Sequence, residues 1–405
     1  MSEAAKKVRC ELDGVEVHYL PSHLAEQHGM TVEDYLARFP DAELESGAVT
    51  EAYAKSLQGV ERALPPPPDK LVTELAGHPL SVNHDVPEDA CLPLPSHYRL
   101  PTHGALGEAV KRAVLYFRAG RSHWIWGPSG SGKDALVSAI CALTRSPSEI
   151  FQINPDVDIL PWFYQRSFDK DGTSWEFGDL FNALVHGYTS PLSGRRIPMT
   201  IVLSDFDRAT TVQAENFRLV MDSILSRVKG PTGETHPVLS GTRVIVTANT
   251  MGGGDETGKY RGANVVDTSM LNRIERKVRF SSMDWEDEEP IVRAKFPLFV
   301  ERCGDLLDKI GSATTVLRQQ VADRNLYGEF SHRDVCAWVG ACEDILRLTD
   351  TTPVDLIKQG FMAYADGLPD DQSRNAALTS VDPYLTGGAL PRGDTSHVRL
   401  EELKL

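Results

Sequence analysis

The run Trp124-Ile125-Trp126-Gly127-Pro128-Ser129-Gly130-Ser131-Gly132-Lys133-Asp134 has the spacing with which backbone N–H groups wrap a phosphate chain. Gly127 to Lys133 satisfies G-x-x-x-x-G-K, but Asp134 stands where a hydroxyl normally ligates magnesium. The N–H groups of 128–133 and the N-terminus of a following helix supply positive potential, and Lys133 reaches toward the β- and γ-phosphates. Gly127, Pro128, Ser129, Gly130, Ser131, Gly132, Lys133 and Asp134 are therefore the expected contacts of a nucleotide.

Farther along, Ile201-Val202-Leu203-Ser204-Asp205-Phe206-Asp207 reads as the second nucleotide strand, with Ser204 where a magnesium aspartate is expected. A hydroxyl and a carboxylate have traded places. Magnesium demands octahedral oxygens and is indifferent to which segment supplies them, so Asp134 and Ser204 form one candidate magnesium pair. The opposing reading is decay, with nucleotide bound and not turned over. Asp205 falls at the position of the residue that orients the attacking water. In a shifted register Asp205 is the magnesium ligand and Phe206 stands at the catalytic position, which leaves no base.

A second constellation lies near the start: Cys10, Asp13, His23 and His28, spaced as in a zinc finger with one carboxylate ligand. Tetrahedral Zn²⁺ accepts thiolate, imidazole and carboxylate, so the set is chemically sound, and a unit of this size gains from a metal. A zinc-free fold is the alternative. Residues 1–60 hold five Lys/Arg against eleven Asp/Glu, the wrong sign for contacting nucleic-acid phosphates.

These residues need elements to hold them. Apolar positions Leu106, Val110, Ala113, Val114 and Phe117 predict a helix, strand 124–126 feeds the loop, and a helix begins near Lys133. Residues 150–153, 200–203 and 243–248 read as buried strands separated by helices, one of them over 213–228, which implies a parallel sheet covered on both faces. The expected division is a zinc-finger-like α+β unit at 1–48, a Pro-rich arm at 49–96, an α/β core at 97–283, a helical lid at 284–364 and a loosely held tail at 365–405. The net charge of −15 argues against a general polyanion binder. No apolar run of about eighteen residues is present, so no membrane span is expected. Six scattered cysteines and the absence of a secretory signal point to reduced thiols in a cytoplasmic protein.

Together the segments resemble a AAA+ ATPase of the MoxR group, most closely the cobaltochelatase small-subunit type. Ser204-Asp205-Phe206-Asp207-Arg208-Ala209 is similar to that group's second-strand motif, which favours the first register, and the run from Thr247 to Gly262 resembles the subunit's long glycine-rich signature. The resemblance implies Asn249 as the sensor at the γ-phosphate, Arg273 in Met270-Leu271-Asn272-Arg273 as the finger acting on a neighbouring subunit, with Arg276 as second choice, and Arg333 in Ser331-His332-Arg333 as the lid sensor. It also implies Mg-ATP as cofactor, a homo-oligomeric ring, expected to be a hexamer, and a partner with a von Willebrand A-type domain. Stretches 165–178 and 229–240 would be group-specific hairpins that line a pore or grip a client, although Trp175 is equally readable as core packing. The N-terminal segment from Cys10 to Tyr35 resembles Ros/MucR-type fingers, with Thr31 as a helix cap. The expected function is a remodelling ATPase acting on a protein or protein complex. A nucleotide-clamped scaffold and a DNA-associated motor are the alternatives.

Overall fold

The structure, a computed structural model, describes residues 7–17, 20–28, 30, 32–39, 42, 44, 71–169, 172–222, 226–254, 262–349 and 355–385. Thr31, the prolines 65–68, residues 255–261 of the glycine-rich signature and the tail beyond 385 lie outside them. The chain divides into two compact units, Met1–Pro67 and Pro68–Leu405.

In the first unit, antiparallel strands Val8–Arg9 and Glu16–Val17 precede helix Leu20–His23, a widened turn Leu24–His28 and helix Val32–Arg38. The apolar centre is small: Val8, Cys10, Leu20, Leu24 and Tyr35. The Tyr35 hydroxyl accepts the Glu11 N–H at 2.8 Å and ties the second helix to the hairpin turn.

The second unit is built on a five-stranded parallel sheet in the order Lys277–Arg279, His123–Trp126, Arg243–Ala248, Thr200–Ser204, Ser148–Gln152. Every residue of Thr200–Ser204 is buried, as expected of a parallel strand covered on both faces. Side chains alternate between the two coverings. Ile125, Val202, Ile245 and Val278 pack on helices Gly104–Arg118 and Lys133–Thr144. Trp124, Ile201, Leu203 and Val246 face Phe181, Leu184, Phe206 and Phe217 instead.

Helices Trp285–Lys295, Pro297–Cys303, Leu307–Ala322, His332–Leu348, Leu356–Ala365 and Asp371–Leu385 form a separate helical layer around Phe299, Ile310, Trp338, Phe361 and Val381. The fold is thus a P-loop α/β core with a helical lid. Three details differ from the sequence reading. The supposed tail contains helix Asp371–Leu385, whose Ala377, Val381 and Leu385 are buried in the lid. The supposed arm holds a hairpin, Leu71–Leu75 with His78–Ser81, closed by the left-handed pair Ala76 (φ 51°) and Gly77 (φ 77°). The helix expected over 213–228 stops at Phe217, because Val220 and Met221 turn inward to the core and Arg227–Lys229 pairs with Thr235–Pro237.

Candidate nucleotide site

Three neighbouring strands deliver their carboxyl ends to one place, the crevice where ligands bind in open parallel sheets. The first strand, His123–Trp126, runs into the loop 127–132 and helix Lys133–Thr144. Gly127 allows the loop to pass the Phe280 carbonyl, since a Cβ there would meet that oxygen at 2.3 Å. Gly132 takes φ 84°, a left-handed turn into the helix that suits glycine. The second contributing strand ends in Ser204-Asp205, and the third in Thr247-Ala248-Asn249. Leu203 pairs with Val246 in parallel register, so Ser204 and Thr247 are neighbours at the strand ends.

Lys133 is buried, and its Nζ donates to the carbonyls of Gly127 (2.9 Å) and Pro128 (2.8 Å) and to Asn249 Oδ1 (3.1 Å). Burial pulls its pKa below the usual lysine value, while Asp134 and three further carboxylates oppose the shift. Asn249 sits on a segment held by Asp207, whose Oδ2 accepts the N–H groups of Asn249 (3.1 Å) and Thr250 (2.9 Å). Burial raises the Asp207 carboxyl pKa, and those N–H bonds act in the opposite direction. Asp207 and Gln152, whose amide donates to Asp205 Oδ2 at 3.2 Å, were not singled out from sequence; their work is to position neighbours across strands.

Asp134 and Ser204 are adjacent: the Ser204 hydroxyl lies 3.4 Å from both carboxylate oxygens. A third oxygen joins them. Thr247 Oγ1 donates to Asp134 Oδ1 at 2.6 Å and stands 3.4 Å from Ser204 Oγ. Cis ligands on an octahedral Mg²⁺, each at about 2.1 Å, lie about 3.0 Å apart. The observed 2.6–3.4 Å spacings bracket that value, so this oxygen set fits the ion. Thr247 could have been found only by knowing the register that sets it beside Ser204.

Asp205 has left-handed backbone angles (φ 56°, ψ 38°), which Asp tolerates better than most residues, and it borders the cavity. The cavity, about 890 Å³, is also lined by Gly130, Gly132, Lys133, Asp134, Asn249 and Arg333. The lid closes directly on the loop: Glu329 Oε2 accepts the Ser129 N–H at 3.0 Å, and Ser331 Oγ lies 2.6 Å from where a Cβ on Gly130 would be. Arg273 is about three-quarters buried and pairs with Asp222 of its own chain, while Arg276 pairs with Glu275 at 3.0 Å. Neither arginine lines this chain's cavity.

In the first unit, Asp13 Oδ2 lies 2.9 Å from His23 Nε2 and 3.1 Å from His28 Nε2, and Cys10 Sγ lies 3.7 Å from His28 Nε2. The four ligand atoms all fall within 4.8 Å of one another. Edges of a tetrahedral zinc site with bonds of 2.0–2.3 Å run about 3.3–3.6 Å, so the donor set fits Zn²⁺. The Val15 N–H, donated to Asp13 Oδ1, is the main influence bringing the Asp13 pKa down to about 2, which keeps that ligand ionised.

Residues 124–261, about a third of the chain, match the family model for the AAA domain of the dynein-related subfamily. The α/β core is therefore an AAA-type domain over that segment. No curated protein matches the chain. Among solved structures, NtrX from Brucella abortus in complex with ATP is similar over 85% of this chain and 67% of its own, at 13% identity and a TM-score of 0.44. The same protein with ADP gives 82% and 65%, at 14% identity and 0.39. The Thermotoga maritima RuvB Holliday junction branch migration motor gives 66% and 69%, at 10% identity and 0.38. Among the described residues, no helix is long and apolar enough to cross a membrane.

Proposed function

From an AAA domain over residues 124–261, we propose that this chain is a Mg-ATP-dependent ATPase that works as an oligomeric ring and remodels a protein or protein complex. The observation carrying the reading is the convergence of Lys133, Asp134, Ser204, Thr247 and Asn249 at the ends of three adjacent strands. The loop's N–H groups and Lys133 would bind the phosphates, with Lys133 leaving its own loop carbonyls for β- and γ-oxygens. Asp134, Ser204 and Thr247 would hold magnesium, which would neutralise phosphate charge and orient the chain for attack. Asp205, steadied by Gln152, would orient the attacking water, and Asn249, steadied by Asp207, would sense the γ-phosphate.

Arg333 on the lid borders the same cavity and would report closure. Arg273, with Arg276 as the alternative, would enter a neighbouring subunit's site after release from Asp222, and a trans arginine accelerates phosphoryl transfer by about 10³–10⁵-fold. Sequence resemblance in 204–209 and 247–262 supports the MoxR group, the cobaltochelatase small-subunit type, a hexameric ring and a von Willebrand A-type partner. The Cys10, Asp13, His23, His28 cluster supports a structural zinc in the first unit, and the acidic composition of residues 1–60 suits docking better than DNA.

Phosphate release at saturating Mg-ATP tests the proposal. It should vanish in Lys133→Ala and fall by at least about 10²-fold in Arg273→Ala. Unchanged turnover in both variants would falsify it, and tight ATP binding without release would select a nucleotide-clamped scaffold instead.

A further inference from the structure

The lid wall of the nucleotide cavity carries a sulfur, an imidazole and a buried carboxylate in series. Glu288 is fully buried and meets Arg318 through two bonds, at 2.8 and 3.1 Å. Its Oε1 also takes His332 Nδ1 at 2.9 Å, which leaves Nε2 pointing to Cys336 Sγ at 3.3 Å. His332 and Cys336 stand one turn apart at the start of helix His332–Leu348, and both border the cavity that holds Lys133 and Asp134. Burial alone would depress the His332 pKa, but hydrogen bonds to Cys336 and Glu288 carry it up to about 9. The buried Glu288 carboxylate on Nδ1 thus favours the charged imidazole. A cysteine beside a fixed imidazolium and near a helix N-terminus is the arrangement that makes sulfur a nucleophile.

Cys10 also has an imidazole neighbour, His28 at 3.7 Å, but of the cysteines Cys336 is the one that borders the nucleotide cavity. Cys336 is buried too, but at 8% exposed it is more open than Cys10, Cys141, Cys303 and Cys342 at 0–2%, and burial pushes Cys91 and Cys141 to about 11 and Cys342 to about 12.

The geometry points to Cys336 as a thiol-modification site for low-molecular-weight disulfides, one that shuts the nucleotide cavity when it is occupied. Cys336 Sγ attacks one sulfur of the disulfide, and the reagent's S–S bond breaks as a new S–S bond forms on Cys336. The departing sulfur leaves with the proton that the thiol gives up, so one thiol is consumed and one released. The group added projects into the space that, on the function proposed above, receives the triphosphate.

Oxidised glutathione is a suitable probe on the full chain, with each cysteine followed by peptide mass. Cys336 should react at least about tenfold faster than any other cysteine in the folded protein, and that ranking should disappear in urea. His332→Gln should slow Cys336 by about tenfold or more. Saturating Mg-ATP should protect it, and the modified protein should lose binding of a fluorescent ATP analogue, a loss reversed by dithiothreitol. A Cys336 rate no greater than that of Cys91, or equal Cys336 rates in folded and unfolded protein, would overturn the assignment without reference to any variant. Direct binding of the analogue to unmodified protein separates the two claims. If the analogue binds but neither protects Cys336 nor is excluded by the modification, the gating fails. If it does not bind at all, the nucleotide reading fails.

Discussion

Exchanging the carboxylate and the hydroxyl across the site, Asp134→Thr with Ser204→Asp, tests whether these residues share one ion. The native set holds one negative charge and two hydroxyls within 2.6–3.4 Å of one another. Asp134→Thr alone removes the only carboxylate and leaves Thr247 without its 2.6 Å acceptor. A hydrogen bond to a charged group contributes about 1.5–3 kcal/mol, so a 10- to 150-fold loss of magnesium-dependent turnover is expected. Ser204→Asp alone sets two carboxylates starting from 3.4 Å apart. At an effective dielectric of about 20 that repulsion is about 5 kcal/mol before protonation or a cation relieves it. This single variant should melt at lower temperature without magnesium and regain stability when magnesium is added. The double variant restores one charge and two hydroxyls, so it should recover at least about tenfold over the product of the single losses, a coupling of about 1.4 kcal/mol or more. Phosphate release measured against magnesium concentration reads all four proteins. If the double variant loses activity by the simple product of the two single effects, the shared-ion argument is refuted.

Other outcomes follow from the same geometry. Glu288→Gln should destabilise the lid by about 3–5 kcal/mol, seen in chemical denaturation, because Arg318 and His332 lose a buried charge. With the His332 pKa raised from 6.5 to about 9, its contribution is complete below pH 6.5 and fades as pH climbs through 9. The gap between native and Glu288→Gln stability should therefore narrow across that window, and a constant gap would count against the pairing. Glu329→Gln should tighten ATP binding several-fold, since the lid carboxylate that takes the Ser129 N–H sits near an incoming anion. Binding that is unchanged or weaker would reverse that assignment. The purified chain should carry about one zinc, and chelation or Cys10→Ser should abolish the NMR dispersion of the first unit while leaving ATP binding intact. A metal-free, well-dispersed first unit would exclude a structural zinc.

What could be read from the sequence was what is local in the chain. The phosphate loop is contiguous, its glycines answer to backbone constraints within a few residues, and the short apolar runs in 200–204 and 243–248, buried almost throughout, mark the sheet. The Asp134–Ser204 exchange could be read as well, because each residue departs from a known spacing in its own segment. Thr247 could not be, since its oxygen matters only once parallel pairing puts it beside Ser204. Asp207, Gln152 and Glu329 were hidden for the same reason: each acts on a residue in another element, in one case 200 positions away. Helix Asp371–Leu385 escaped notice because its apolar positions are sparse and Pro383 reads as a breaker, although it falls near the helix end.

The most direct test of the central claim is complementation. On the proposed function, Lys133→Ala chains would lose the phosphate contact and Arg273→Ala chains the finger, so each should be inactive alone. In an equal mixture, about a quarter of the subunit boundaries pair an intact Lys133 with a neighbour's intact Arg273, so phosphate release should return to about a quarter of the native rate. A co-assembled mixture as inactive as its parents would contradict an ATPase site completed by the adjoining subunit's Arg273.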